Sequence, residues 1–311
     1  MMLGLISRLA ASPWAISPEH AQSYMPMLAG LLTNNTPLVT GQNLAELRAE
    51  AAPKDFEATM RGGKTAFAAR SAAAGATSGG SSDGIIVRVM SIAGPVMKAD
   101  QECGPRGLMS MANDLQRAAK DIDISAVLMK VDSPGGQVFG TQSVVDGVKA
   151  CQAAGKPVVA LCEDGLMCSA AYWIGSAADT IIATHETCTI GSIGVMASWA
   201  DVQPALEKMG VKFHEVYAEQ STEKNADFGK AAKGDYSAVQ ANLTAIAAGF
   251  LGDVRANRGS RLDAKLFEKS GASAGKTFFA SQAGDIGLID AMGSLQDALG
   301  ECVRLVQQGR A

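Results

Sequence analysis

The chain has 311 residues, enough for one large domain with an appendage or for two domains. Its hydrophobic share of 47% is ordinary for a globular core, and 34 glycines imply many tight turns. A net charge of -4 without any basic run excludes an electrostatic footprint for nucleic acid. The cysteines Cys103, Cys151, Cys162, Cys168, Cys188 and Cys302 follow no CxxC or zinc spacing and mostly lie in apolar runs. That pattern predicts buried, reduced thiols and a cytoplasmic chain.

No apolar run reaches the roughly 18–20 residues of a membrane span. Near the start, Leu3, Leu5, Ile6 and Leu9 hint at a signal segment, but Arg8 interrupts them and Ser12-Pro13-Trp14 follows. An amphipathic helix is the reading there. Residues 1–65 read as a helical appendage, with helices over 21–32 and 43–51. The Ala, Gly and Ser tract of 66–83 buries too little to offset its ordering entropy and reads as a linker.

From Gly84 the pattern alternates. Strands are predicted at 85–92, 126–131, 158–162 and 180–183, and helices at 107–120, 141–154 and 169–178. Leu108, Met111, Leu115 and Ala118 share one helical face, as do Val144, Val145, Val148 and Cys151 on the next helix. Short apolar strands between helices define an α/β class with a mainly parallel sheet over 84–311. Further on come a helix at 201–210, a strand at 211–217, a polar stretch to Gly234 and a long helix at 235–257. Tyr236, Val239, Leu243, Ile246, Phe250 and Val254 stripe that helix. Helices at 262–270, 281–287 and 294–308 complete the chain.

Two strand ends carry chemistry. The run ending at Val131 stops at Asp132-Ser133-Pro134-Gly135-Gly136, where adjacent glycines let backbone N–H groups approach a ligand. The run ending at Cys162 breaks at Asp164-Gly165 and feeds a turn bearing Ser169, at the mouth of a helix. One loop therefore offers oxyanion donors and the next a nucleophile. Taken alone, Ser169 reads as an N-cap, Asp132 as a turn former, and Tyr172 and Trp173 as core. His185, at a strand end, is the candidate for a Ser-His-Asp triad but reads as a structural or surface residue; neither His20 nor His214 suggests a base.

Three segments together, Asp132 to Gly136, Ser169 to Asp179 and Thr189-Ile190-Gly191-Ser192-Ile193-Gly194-Val195, resemble the signatures of the S49 serine peptidases. Ala283 to Asp290 is similar to that family's closing motif. The family includes bacterial signal peptide peptidase A and the capsid (prohead) proteases of tailed phages. Ser12-Pro13-Trp14-Ala15-Ile16 looks more like the phage branch. The resemblance implies a ClpP/crotonase-like fold and a Ser–Lys dyad, with Ser169 as nucleophile. Lys224, seven residues after Tyr217, best fits the lysine; Lys230 and Lys233 compete. The family's usual Ser-Gly-x-x-Lys approach is replaced here by Glu219-Gln220-Ser221-Thr222-Glu223-Lys224.

In such a dyad the lysine takes the serine proton only if burial lowers its pKa well below about 10.4. The backbone N–H groups of Gly135 or Gly136 and of Ala170 would hold the oxyanion. Asp132, Ser133 and Ser192 would shape the site. The expected enzyme is a serine endopeptidase that matures phage capsids by cutting scaffold and capsid precursor proteins. It would act in the host cytoplasm or the assembling procapsid, as a homo-oligomer, with no metal or nucleotide cofactor. Rival readings are a membrane-associated signal peptide peptidase, a crotonase-type acyl-CoA enzyme and a non-catalytic assembly protein.

Overall fold

The computed structural model describes residues 14–16, 55–61, 64–68, 84–101, 105–199 and 201–309. The helices read at 21–32 and 43–51 lie outside these residues. The strands are β1 (Trp14–Ile16), β2 (Phe56–Arg61), β3 (Lys64–Ala68), β4 (Ile85–Ala93), β5 (Ala126–Ser133) and β6 (Gly135–Gln137). They continue as β7 (Val158–Cys168), β8 (Thr180–Ala183), β9 (Thr189–Gly191), β10 (Thr277–Phe279) and β11 (Ala291–Met292). The helices are α1 (Leu108–Lys120), α2 (Thr141–Ala153), α3 (Ala170–Ser176), α4 (Gln203–Lys208) and α5 (Ala226–Ala231). After them come α6 (Ser237–Arg258), α7 (Ala264–Lys269), α8 (Ala280–Ile286) and α9 (Leu295–Gly309).

The main sheet runs β10-β9-β7-β5-β4-β2-β3, with β8 beside β7 and β11 beside β8. Its centre is parallel: β4 with β5, and β5 with β7. β7 also pairs in parallel with both β8 and β9. Antiparallel strands β2, β3 and β10 close the edges. This is the expected α/β class with a mainly parallel sheet. Strands β2 and β3 lie in the stretch read as appendage and linker, so the sheet reaches upstream of Gly84.

Both faces of the central sheet are covered, as parallel strands require. One face packs Ile92, Met129, Val131 and Ala160 against α1, α2 and α3. The other buries Val87, Val89, Leu128 and Leu161 under Leu299, Cys302 and Val306 of α9. The inward faces predicted for α1 and α2 are the buried ones. At their contact Gly147 is obligatory, since a Cβ there would meet Leu115 Cβ at 2.8 Å.

Three features differ from the sequence reading. β7 runs to Cys168 instead of stopping at Cys162, because it changes neighbour partway. Val159–Cys162 pair with β8, whereas Leu166–Cys168 pair with β9. Residues 211–217 form no strand and are exposed, and among the described residues no strand pairs with them. On α6 only Phe250, Val254 and Arg258 are buried, so the predicted apolar stripe is covered only at its C-terminal end. Its other end borders an open groove of about 470 Å³ lined by Trp199, Tyr236, Val239 and Leu243.

The C-terminal end of α6 is firmly tied down. Trp173 stacks on Phe250 with centroids 4.4 Å apart, and its indole N–H donates to Asp253 at 2.8 Å. Arg258, 1% exposed, donates through Nη1 and Nη2 to Asp290 at 2.9 and 2.7 Å and through Nε to the Gly287 carbonyl.

Candidate active site

The site forms where β5 and β7 end. Val131 and Ser133 face Cys162 and Met167, so two residues on β5 span five on β7. The surplus makes a bulge at Glu163-Asp164-Gly165, with Asp164 at φ 49. The Asp132 carboxylate accepts the Leu166 N–H at 3.1 Å, and a Cβ on Gly165 would strike that carboxylate. Asp132 therefore clasps the β7 bulge across the strands, where the sequence reading had it forming its own turn. The bulge steers the last residues of β7 against β9 and ends them at Ser169.

Ser169 has φ 54 and ψ -122, a conformation no ordinary L-residue prefers. Such backbone costs on the order of 1–3 kcal/mol and persists only where its surroundings over-determine it. Here they do. Its N–H donates to the Gly191 carbonyl at 2.7 Å, and its carbonyl accepts the Trp173 N–H at 2.8 Å. Gly175 lets α3 lie on β7, because a Cβ would meet Met167 Sδ at 2.6 Å. Tyr172 is buried behind the serine and donates its hydroxyl to the Leu288 carbonyl. Ser169 is 1% exposed, and its Oγ has no hydrogen-bond partner among the described residues. A buried, unpaired hydroxyl is costly, so this one invites a functional account.

Because Ser133 faces Met167, Gly135-Gly136 and Ser169 emerge at the same end of the sheet, at the carboxyl ends of parallel strands. Ser133 shapes that corner: its hydroxyl donates to the Gly94 carbonyl at 2.7 Å and accepts the Gly135 N–H at 3.2 Å. Gly136 must be glycine, since a Cβ would lie 2.0 Å from the Val96 carbonyl oxygen. Ala170 opens α3, whose first-turn N–H groups have no intrahelical acceptor. Ser192 is buried at φ 53, its N–H donating to the Lys276 carbonyl. The sequence singles out Thr189 to Val195, but not as a strand: three residues carry too little pattern to show that β9 and the Gly191 carbonyl seat Ser169.

The lysines do not join this group. Lys224, Lys230 and Lys233 are all exposed, so the burial expected of a basic lysine is absent in the single chain. They belong to residues 201–249, which are mostly exposed. Phe213 is 57% exposed, Phe228 62% and Val216 95%. His185 is on the surface, as read.

Together these features describe an α/β protein that holds a strained serine at a strand-to-helix corner opposite a glycine strand. The profile of Peptidase family S49 matches residues 150–308, half of the chain, and the chain belongs to that family. "Protease 4" of Haemophilus influenzae is 28% identical over 222 residues, covering 71% of this chain and 35% of that protein. "Capsid assembly protease C" of Escherichia phage lambda is 33% identical over 136 residues, covering 42% of this chain and 30% of that protein. The chain thus spans about a third of the length of these relatives. Among solved structures, the membrane-bound stomatin-specific protease 1510-N is 13% identical with a TM-score of 0.42, covering 68% of this chain and 82% of that one. That likeness is too slight to carry weight. No helix among the described residues is long and apolar enough to cross a membrane.

Proposed function

We propose that the chain is a serine endopeptidase in which Ser169 attacks a peptide carbonyl and Lys224 is the base. The observation that carries this is Ser169 itself: strained, buried, its Oγ unbonded, at the strand ends beside Gly135-Gly136. Lys224 would take the hydroxyl proton as the acyl-enzyme forms and pass it to the leaving amine; water then releases the acyl group. The N–H groups of Gly136 and Ala170 would stabilise the oxyanion, each on the order of 3 kcal/mol.

Since Lys224 lies in an exposed segment rich in unpartnered apolar side chains, we place the completed dyad in a homo-oligomer. There that segment packs down and Lys224 loses water. Family membership and the phage lambda relative favour scaffold and capsid precursor proteins as substrates.

The test is intact mass after exposure to a fluorophosphonate, comparing wild type with Ser169→Ala and Lys224→Ala. One adduct on wild type and none on either variant is expected. An adduct that survives Lys224→Ala moves the base to Lys230 or Lys233. An adduct that survives Ser169→Ala sinks the assignment of the nucleophile.

A further inference from the structure

Strand β1 lies outside the main sheet and, among the described residues, pairs antiparallel with β6 alone, with Trp14 opposite Gln137, Ala15 opposite Gly136 and Ile16 opposite Gly135. β6 is the glycine strand beside Ser169. Its other edge is already taken: the Gly135 carbonyl accepts the Val96 N–H at 2.9 Å, and the Gln137 N–H donates to the Val96 carbonyl at 2.8 Å. Backbone polar groups alternate in direction along a strand. The N–H and C=O of Gly136 therefore point away from Val96, to the edge on which β1 lies. Ala15 opposite Gly136 is then the pair that exchanges hydrogen bonds. The Gly135 N–H is meanwhile engaged by Ser133 Oγ. With β1 in place, neither glycine N–H is open to an incoming carbonyl.

An extended peptide laid on a free strand edge gains main-chain hydrogen bonds whatever its sequence, a general mode of peptide recognition. The Gly136 edge is such a place, and here a piece of the same chain fills it. We propose that residues 14–16 mask the peptide-binding edge of β6 in cis, so that β1 must leave before a substrate strand can be seated beside Ser169. This inference rests on the peptidase reading above. It adds that the chain is self-restrained, and that the release of its N-terminal segment sets when it becomes competent.

The test uses the full chain and its Ala15→Pro variant. Proline removes the N–H that faces Gly136 and cannot take part in the ladder. Two readouts are combined: exchange of the Gly136 amide, and the rate of fluorophosphonate labelling. Losing that one backbone hydrogen bond, with the strain proline adds to the ladder, corresponds to a change of up to about tenfold in the open fraction. Wild type should protect Gly136, while Ala15→Pro should lose that protection and label up to about tenfold faster. Amides of Val87 to Ile92 in β4 serve as the check that the variant is folded. A synthetic peptide of residues 10–20, added to the variant, should restore protection and slow labelling.

Fast exchange at Gly136 in wild type would overturn the proposal. So would a labelling rate that Ala15→Pro leaves unchanged, or a peptide that restores nothing. If neither chain labels while the exchange difference stands, the peptidase reading fails and the masking with it, though β1 remains paired.

Discussion

Asp290 bonds both ends of the Arg258 guanidinium and also accepts the Ile181 N–H at 2.7 Å. Replacing it with alanine would leave a guanidinium that is wholly out of water, its side chain 0% exposed, with only the Gly287 carbonyl for company. Removing one partner of a buried pair costs about 3–5 kcal/mol, because the other charge stays desolvated. For a domain of this size each kcal/mol moves the midpoint by roughly 2–4 °C, so Tm should fall by about 10 °C. Thermal and urea unfolding of Asp290→Ala would read this. The double variant Arg258→Met, Asp290→Leu should recover part of the loss, since an apolar pair carries no stranded charge but still leaves the Ile181 N–H without its acceptor. A loss under about 1 kcal/mol for Asp290→Ala, the size of an exposed pair, would refute the reasoning.

Further expectations follow from other contacts. Gly147→Ala forces a Cβ to 2.8 Å from Leu115 Cβ and should destabilise by about 1–3 kcal/mol by prying α1 from α2, as urea midpoints would report. An unchanged midpoint would mean the helices yield freely. Hydrogen bonds from Arg304 hold the Glu301 carboxyl below its ordinary 4.5. A depressed folded pKa stabilises above the unfolded value and is lost as pH falls through the folded one. Tm should therefore drop below about pH 4.5 more steeply in wild type than in Glu301→Gln; parallel curves would count against it. Burial pushes the Cys151 thiol up to about 11 and raises those of Cys162 and Cys302 as well. Maleimide should leave these three unmodified in the native chain and modify them in urea. Rapid native modification of Cys162 would contradict the packing.

The central strands were legible because each is a short apolar run ended by Asp, Gly or Pro, and because burial on both faces leaves no polar alternation to confuse the reading. Ser169 was legible from the same breaks. β7 beyond Cys162 was hidden by Glu163-Asp164-Gly165, which look like a terminator but are a bulge held from outside by Asp132. The alternation of Phe56, Ala58 and Met60 with Glu57, Thr59 and Arg61 is a strand signal that a flanking low-complexity tract obscured. At 211–217 the same kind of signal produced no strand, since strand preference has effect only where a neighbour offers its edge. Lys224 was placed by distance from that strand, and a polar segment has no register to fix where its lysines go.

The divided pairing of β7 separates two kinds of wear. Its first half is clamped between β5 and β8 in the centre of the sheet, and opening it requires global unfolding. Its second half rests on the three-residue β9, on one pair with β5 (Met167 opposite Ser133) and on the Asp132 and Thr184 side chains that hold the bulge. Native-state opening should therefore begin at residues 163–168 and leave 158–162 closed. On the proposed role of Ser169, heat or mild denaturant would disarm this protein well before it melts, and loss of fluorophosphonate labelling would be the earlier and more sensitive sign of damage.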